Sequence, residues 1–273
     1  MKALLPALLV FVLSARALGA GVTTLQWHGH AAFELTTPKG LVLFIDPWLK
    51  NPMNPAAKNG ADPAAAVKRA DYILITHGHS DHVGEAIELA KKTGAKLVAT
   101  TELGSALVSL GYPAAQAGYQ TLGNAGGELK LGDGEVVVQL TQAVHGSGLD
   151  AGPGKPPLYG GSPVGFVVKV KDGPTIYDTG DTAFFRDMDQ LAALDVDVAL
   201  INIGGHFGME PDAAAMAARA VNPRLVVPMH YKTMPLLTQD AGPFFKLLDA
   251  DKIPHLEMTP GQTLRFQGRE LEK

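Results

Sequence analysis

The stretch Thr76-His77-Gly78-His79-Ser80-Asp81-His82 decides how this chain is read, because it places four side chains able to bind a metal within six residues, at the end of an apolar strand. A glycine between the first two histidines lets the backbone turn sharply, so that a tight loop can point His77 and His79 to one side. Asp81 and His82 open the next helix about 100° apart around its axis and can serve a second position. Imidazole together with carboxylate suits Zn²⁺ or iron. The bland alternative, a polar loop that is His-rich by chance, fits poorly with this spacing directly after a buried strand.

Working outward, the composition narrows the chemistry. The chain of 273 residues contains no cysteine, which removes disulfides, thiolate ligands and Cys nucleophiles, so any metal is held by His and carboxylate. Its 46% hydrophobic and 18% charged residues describe an ordinary globular chain able to bury a large core. Net charge is −4 and no Lys/Arg run exceeds the pair Lys91-Lys92, so a nucleic-acid partner is not expected. Residues 1–20 stand apart. Lys2 precedes an apolar run from Ala3 to Ala15, interrupted by Pro6, and the small residues Ala17, Gly19 and Ala20 follow. This is the pattern of a secretory signal peptide, and the run falls short of the ~20 apolar residues that span a bilayer. Export to the periplasm or the medium is expected, with no integral span once the leader is removed.

After the leader, β-branched runs alternate with Gly/Pro turns and Ala-rich helical stretches, the pattern of an α/β protein. The expected strands are Thr23–Trp27, Ala32–Thr36, Leu41–Asp46, Tyr72–Thr76, Lys96–Thr100, Glu135–Thr141, Gly165–Val170, Thr175–Tyr177, Val198–Asn202 and Leu225–Pro228. The expected helices are His82–Thr93, Thr101–Leu110, Asp212–Val221 and Pro243–Leu248. No long linker divides the chain, so residues 21–273 read as one domain. Ala70–Glu85 laid beside Asp195–Glu210 shows a weak duplication, each a buried strand, a loop with Gly and His, and then a helix. Two such halves meeting face to face would bring their strand-end loops to one shared edge, where α/β sheets place ligands; chance likeness of buried strands followed by helices reads equally well. The segments Asn51–Pro63 and Gly146–Pro163 read as irregular loops, and the second, rich in Gly and Pro directly after His145, suits a lid.

At its histidine cluster the chain resembles the metallo-β-lactamase superfamily, whose signature is His-x-His-x-Asp-His. The resemblance continues through Trp27-x-Gly29-His30, Ile45-Asp46-Pro47-Trp48, Tyr159-Gly160-Gly161-Ser162-Pro163, Tyr177-Asp178-Thr179-Gly180-Asp181-Thr182, Gly204-Gly205-His206-Phe207 and Pro228-Met229-His230-Tyr231. These fall in the order of one branch, largely uncharacterised metal-dependent hydrolases similar also to ascorbate-phosphate lactonases and N-acyl-phosphatidylethanolamine phospholipases. The resemblance implies a four-layer αββα fold of two pseudo-symmetric halves. It implies two divalent metal ions, Zn²⁺ first with Mn or Fe as alternatives, one held by His77, His79 and His145 and the other by Asp81, His82 and His230, with Asp181 bridging them. A hydroxide between two metals would then be the nucleophile toward an ester, lactone, amide or phosphodiester bond.

Three further positions are expected near the metals. Asp46, at a strand end, is placed to take the free N–H of a ligand histidine, and His30 matches the family's Gly-His. His206 stands where the duplicated half would carry a metal loop but lacks companion ligands; it either orients substrate or protonates a leaving group, or else caps the following helix. Catalytic roles are thus expected of Asp81 and His206. Other readings are an exported β-lactamase, iron-based redox chemistry, and a protein that binds metal or ligand without hydrolysis; the intact ligand set argues against the last. Small-molecule and lipid-derived substrates fit equally, and nothing in the chain reports its oligomeric state.

Overall fold

A computed structural model describes residues 21–272, and the expected leader at 1–20 lies outside the described residues. The strands in chain order are β1 (Val22–Gly29), β2 (Ala32–Thr36), β3 (Val42–Ile45), β4 (Tyr72–Leu74), β5 (Lys96–Thr100), β6 (Leu122–Gly123), β7 (Glu128–Leu131), β8 (Val136–Gln142), β9 (Gly148–Leu149), β10 (Leu158–Tyr159), β11 (Val164–Val170), β12 (Thr175–Asp178), β13 (Val198–Asn202), β14 (Leu225–Met229), β15 (Thr263–Gln267) and β16 (Glu270–Leu271). The α-helices are α1 (Pro55–Lys58), α2 (Pro63–Ala66), α3 (Ser80–Val83), α4 (Ala86–Thr93), α5 (Thr101–Ser109), α6 (Pro211–Val221) and α7 (Gly242–Ala250).

Two sheets carry the molecule, one in the order β16-β15-β1-β2-β3-β4-β5-β6 and the other β14-β13-β12-β11-β8-β7. Each follows the same plan. In the first, β1, β2 and β3 are antiparallel neighbours and β3, β4 and β5 run parallel. In the second, β8, β11 and β12 are antiparallel and β12, β13 and β14 parallel. The duplication suspected between 70–85 and 195–210 is therefore a repeat of sheet topology, with β4 matching β13 and β5 matching β14.

Side-chain alternation along the strands sorts the core into layers. Leu74 and Val98 join the core shared with Phe166 and Leu140 of the other sheet, whereas Ile73, Leu97 and Ala99 face outward onto Leu89 of α4 and Leu103 and Leu107 of α5. Helix α6 lies on the opposite outer face, burying Ala214, Ala215, Ala217, Ala218 and Val221. Helix, sheet, sheet, helix is the four-layer order expected, and among the described residues no helix is long and apolar enough to cross a membrane.

Three departures from the sequence reading have local causes. The helix expected over His82–Thr93 is two helices, broken where Gly84 takes φ +42° and lies so close to the Trp48 backbone that a Cβ there would stand 2.3 Å from its Cα. Strand β15 alternates exposed and buried residues and returns to pair with β1, so the last strands of the chain complete the first sheet. The segment Gly146–Pro163 contains the hairpin β9–β10, whose Leu149 is buried against the helices of the first half.

Candidate metal centre

Parallel strands in both sheets end at the same edge, and the seven expected ligands converge there. His77 and His79 lie in the turn after β4, and Asp81 and His82 in α3 directly beyond it. His145 follows β8, Asp181 follows β12 and His230 follows β14. His30 joins them from the β1–β2 turn. Donor atoms of His77, His79, His145 and Asp181 all lie within 4.8 Å of one another, and so do those of His30, Asp81, His82 and His230.

Within the first group His77 Nε2 is 2.9 Å from His79 Nδ1, and His145 Nε2 is 3.3 Å from the same atom. A metal held at 2.0–2.1 Å by tetrahedral nitrogens sets its ligand atoms about 3.3 Å apart, so this spacing suits one ion shared among the rings. Asp181 Oδ2 lies 3.9 Å from His77 Nε2 and 3.5 Å from His145 Nε2, yet also 3.3 Å from His82 Nε2 and 3.2 Å from His230 Nε2. One carboxylate oxygen therefore faces both groups, and Nε2 of both His82 and His230 is buried without a hydrogen-bond partner. Buried, unpartnered imidazole nitrogens turned toward a shared carboxylate are the donor set a divalent metal needs. The residues present fit two ions.

Around the ligands is a layer of residues that fix their rings. Asp46 Oδ2 lies 2.7 Å from His82 Nδ1, while its carboxylate also accepts from Thr76 N at 2.9 Å and Thr76 Oγ1 at 2.6 Å. Thr76 Oγ1 is itself 3.0 Å from His77 Nδ1, so one threonine ties ligands of both groups. Asn202 donates from Nδ2 to Asp181 Oδ1 at 2.7 Å and accepts from Gly204 N at 2.8 Å, leaving Asp181 Oδ2 free to face the histidines. His30 is closer to the metals than a supporting role requires: its Nε2 is 3.1 Å from Asp81 Oδ2 and its Nδ1 2.7 Å from Thr233 Oγ1. His30, Asp46 and His230 each hold φ between +43° and +59°, a conformation that costs a non-glycine residue of the order of 1–2 kcal/mol. Three of the positive-φ non-glycine residues among the described residues thus lie at the ligand-bearing edge.

Electrostatics divide the histidines. Burial brings His30 down to about 4, with the charge of His230 adding to it. Burial also holds His77 well below the usual imidazole range. Burial acts the same way on His82 and His230, but carboxylates outweigh it: Asp181 and Asp46 carry His82 well above the range, and Asp181 and Asp81 carry His230 to about 9. Beneath them Asp178, fully buried near Asp46, is pushed up to about 8 by burial first and by that neighbouring charge second.

Other histidines stand apart. His206 is exposed, its ring packed edge-on against Phe207 at 4.4 Å, and the structure does not bring it to the metal cluster. His28 pairs with Glu34 on the outer face at 3.2 Å, and His255 stacks on Phe245. Thr76, Asn202 and Thr233 were missed by sequence reasoning. A signal existed for Asn202, which ends a wholly buried strand and so had to find a polar partner. Above the ligands opens a cavity of about 860 Å³ with Trp48, Phe207 and Met234 on its walls.

A family model described as the beta-lactamase superfamily domain matches residues 42–231. Among curated proteins, a UPF0173 metal-dependent hydrolase of Thermodesulfovibrio yellowstonii is 45% identical across 98% of this chain and 100% of its own. Another, from Anaeromyxobacter dehalogenans, is 53% identical across 80% of this chain and 77% of its own. Among solved structures, a metallo hydrolase of the archaeon Ignicoccus hospitalis is 34% identical with a TM-score of 0.73, covering 90% of this chain and 98% of that one.

Proposed function

The chain belongs to the beta-lactamase superfamily, among the UPF0173 metal-dependent hydrolases, and from that premise we propose that it hydrolyses an ester, lactone, amide or phosphodiester bond with two divalent metal ions, Zn²⁺ first. His77, His79, His145 and Asp181 would hold one ion and Asp81, His82 and His230 the other, with Asp181 shared. His30 adjoins the second ion through Asp81. The observation that carries this reading is the position of Asp181 Oδ2, between 3.2 and 3.9 Å from Nε2 of His82, His230, His145 and His77. When bound, the ions supply a nucleophilic water at neutral pH and polarise the substrate oxygen.

The remaining work falls to the chain's own groups. Asp81, whose Oδ2 lies 3.1 Å from His30 Nε2, borders the cavity and would orient the attacking water as an ionised hydrogen-bond acceptor; burial works to raise its pKa, but the neighbouring His230 and His30 keep it well below the usual carboxylate range. Asp46 fixes the ring of His82, and Asn202 fixes the carboxylate of Asp181. Trp48, Phe207 and Met234 line the cavity with apolar surface that excludes water from one side of the reacting bond.

Elemental analysis of the purified protein, run beside bis-p-nitrophenyl phosphate, p-nitrophenyl esters, a homoserine lactone and nitrocefin, tests the proposal. About two metals per chain and chelator-sensitive turnover of one substrate class are expected. Turnover of nitrocefin alone would move the reading to a β-lactamase. Fewer than about one metal after reconstitution, with no turnover of any substrate, would remove the hydrolytic reading.

A further inference from the structure

The cavity lining includes a hairpin that the hydrolytic site does not require. The hairpin β9–β10 arches over the cavity and contributes Gly148, Asp150, Lys155 and Pro157 to its lining. Its base is clamped: Ser147 Oγ donates to Gly160 O at 3.0 Å, Gly160 N donates to Ser147 O at 2.8 Å, and Leu149 is buried against Gly78 of the metal loop. Its tip reads Pro153-Gly154-Lys155-Pro156-Pro157. A residue followed by proline is kept in extended backbone, so Lys155 is presented by a stiff segment on a fixed base.

Lys155 is the one lysine or arginine on this wall among the described residues, and it has no ion-pair partner there. Asp150, exposed on the same hairpin, uses Oδ1 to accept from Gly152 N at 2.8 Å and close the turn; it keeps its negative charge but forms no ion pair with Lys155. The same lining carries the apolar side chains of Trp48, Phe207 and Met234, and Phe207 keeps 46% of its surface exposed. Ligand cavities of this kind are mostly apolar, with a few polar groups that fix orientation; of the charged groups on this lining Asp81 and Asp181 are turned to the metal-ligand histidines, which leaves Lys155 as the cation an anion can meet.

We propose that the substrate is an apolar-bodied molecule with a second anionic group remote from the scissile bond, and that Lys155 receives that anion while Phe207 and Met234 hold the body. This rests on the metal floor being the hydrolytic centre, since one end of the molecule must sit there. Lys155 is then a specificity-determining residue. It places the reacting bond by holding the far end, and it is not needed for the bond-breaking step itself.

The test measures binding, not turnover, on the metal-loaded full chain. Octanoate, suberate and 8-phosphonooctanoate share an eight-carbon acid and differ in having no remote anion, a carboxylate or a phosphonate. Affinity is measured by calorimetry, with tryptophan fluorescence as a check, since Trp48 lines the cavity and Trp27 donates to the His30 carbonyl beside it. Suberate is expected to bind at least about fivefold more tightly than octanoate, beyond the factor of about two that its two equivalent ends give. Lys155→Gln should bring that margin to the statistical value, Lys155→Arg should keep it, and Phe207→Ala should weaken all three acids alike. A larger margin for the carboxylate or for the phosphonate names the anion. Equal binding of octanoate and suberate after the statistical correction, or a margin that survives Lys155→Gln, overturns the proposal while leaving the hydrolytic centre standing. Failure of all three acids to bind, with no turnover across the chromogenic panel, would remove the hydrolytic centre itself.

Discussion

The two halves of this molecule share one topology and supply the metal centre in opposite ways. The first half delivers His77, His79, Asp81 and His82 from one turn and the first residues of α3, neighbours in sequence before they are neighbours in space. The second half delivers His145, Asp181 and His230 from the ends of three separate strands, β8, β12 and β14. The first set exists wherever that short loop folds; the second exists only when the whole six-stranded sheet is in register. Asp181 is where the two meet, its Oδ2 facing two histidines of the loop and two of the sheet. The loop thus supplies donors, and the sheet would fix how two ions share them.

That division breaks if either half can hold the metals alone. Asp181→Ala is expected to lower metal affinity by more than about 100-fold, since loss of a residue that merely supports a ligand already costs 10–100-fold, and activity should fall with it. Elemental analysis and turnover of the same preparation check this together. Normal metal content with full activity would mean that the loop suffices and that the sheet's contribution is packing.

A second test sets one histidine of each half against the other. His30 and His230 rings lie 3.9 Å apart, yet burial draws the first down to about 4 while Asp181 and Asp81 carry the second up to about 9. In the metal-free protein, His230 keeps a proton that the unfolded chain releases above its ordinary value of 6.5, so stability is lost as pH rises from there through 9. His30 refuses a proton that the unfolded chain takes up below 6.5, so stability is lost as pH falls toward 4. The contribution of this pair to the stability of the chelator-stripped protein should therefore be largest near pH 6.5, falling by up to roughly 3 kcal/mol toward either side, while Asp178, held protonated up to about 8, adds a further loss as pH rises from its ordinary 3.8. Metal must expel the proton from His230, so the stabilisation it adds should grow with pH up to about 9. Thermal unfolding across pH 4–9.5, with and without Zn²⁺, reads both effects; a flat alkaline limb in the stripped protein would show that His230 is not carried up by its carboxylates.

How much of this was legible in the sequence follows the same division. The local cluster announced itself, and ten strands were placed with ends mostly within two residues, because buried β-branched runs bounded by turns are a local signal. The convergence of His145, Asp181 and His230 came from family resemblance, since no local pattern says that three strand ends share one edge. Strand β15 escaped because an alternating Thr-Leu-Arg-Phe-Gln run is half polar and pairs with residues about 240 positions earlier. His30 was placed as a support and lies within the second donor group, a difference decided by the positive φ of its turn. Thr233 is legible only through what it touches, and Asn202 signalled only that it needed a polar partner, because those partners are remote in sequence.

The smallest effect is expected at the one place where the halves correspond and yet differ. The loop after β13 matches the metal loop after β4, but its Gly204-Gly205-His206 carries one histidine where the first half's His77-Gly78-His79 carries two. A Cβ on Gly204 would stand 2.5 Å from the His230 carbonyl oxygen and 2.8 Å from its Nδ1, so glycine there makes room for a ligand arriving from β14. The second loop supplies no residue to either donor group and leaves room for one from the neighbouring strand. His206, beyond that glycine pair, is exposed and rests on Phe207. His206→Ala is accordingly expected to change kcat by less than about threefold, against the 10²–10⁴-fold loss that removal of a general acid brings, with any larger effect appearing in KM through the freed Phe207. Steady-state kinetics on the substrate class found by the panel decides it. A loss of about 100-fold in kcat would return a proton-donating role to His206 and show that the second loop has a chemical function although it supplies no residue to either donor group.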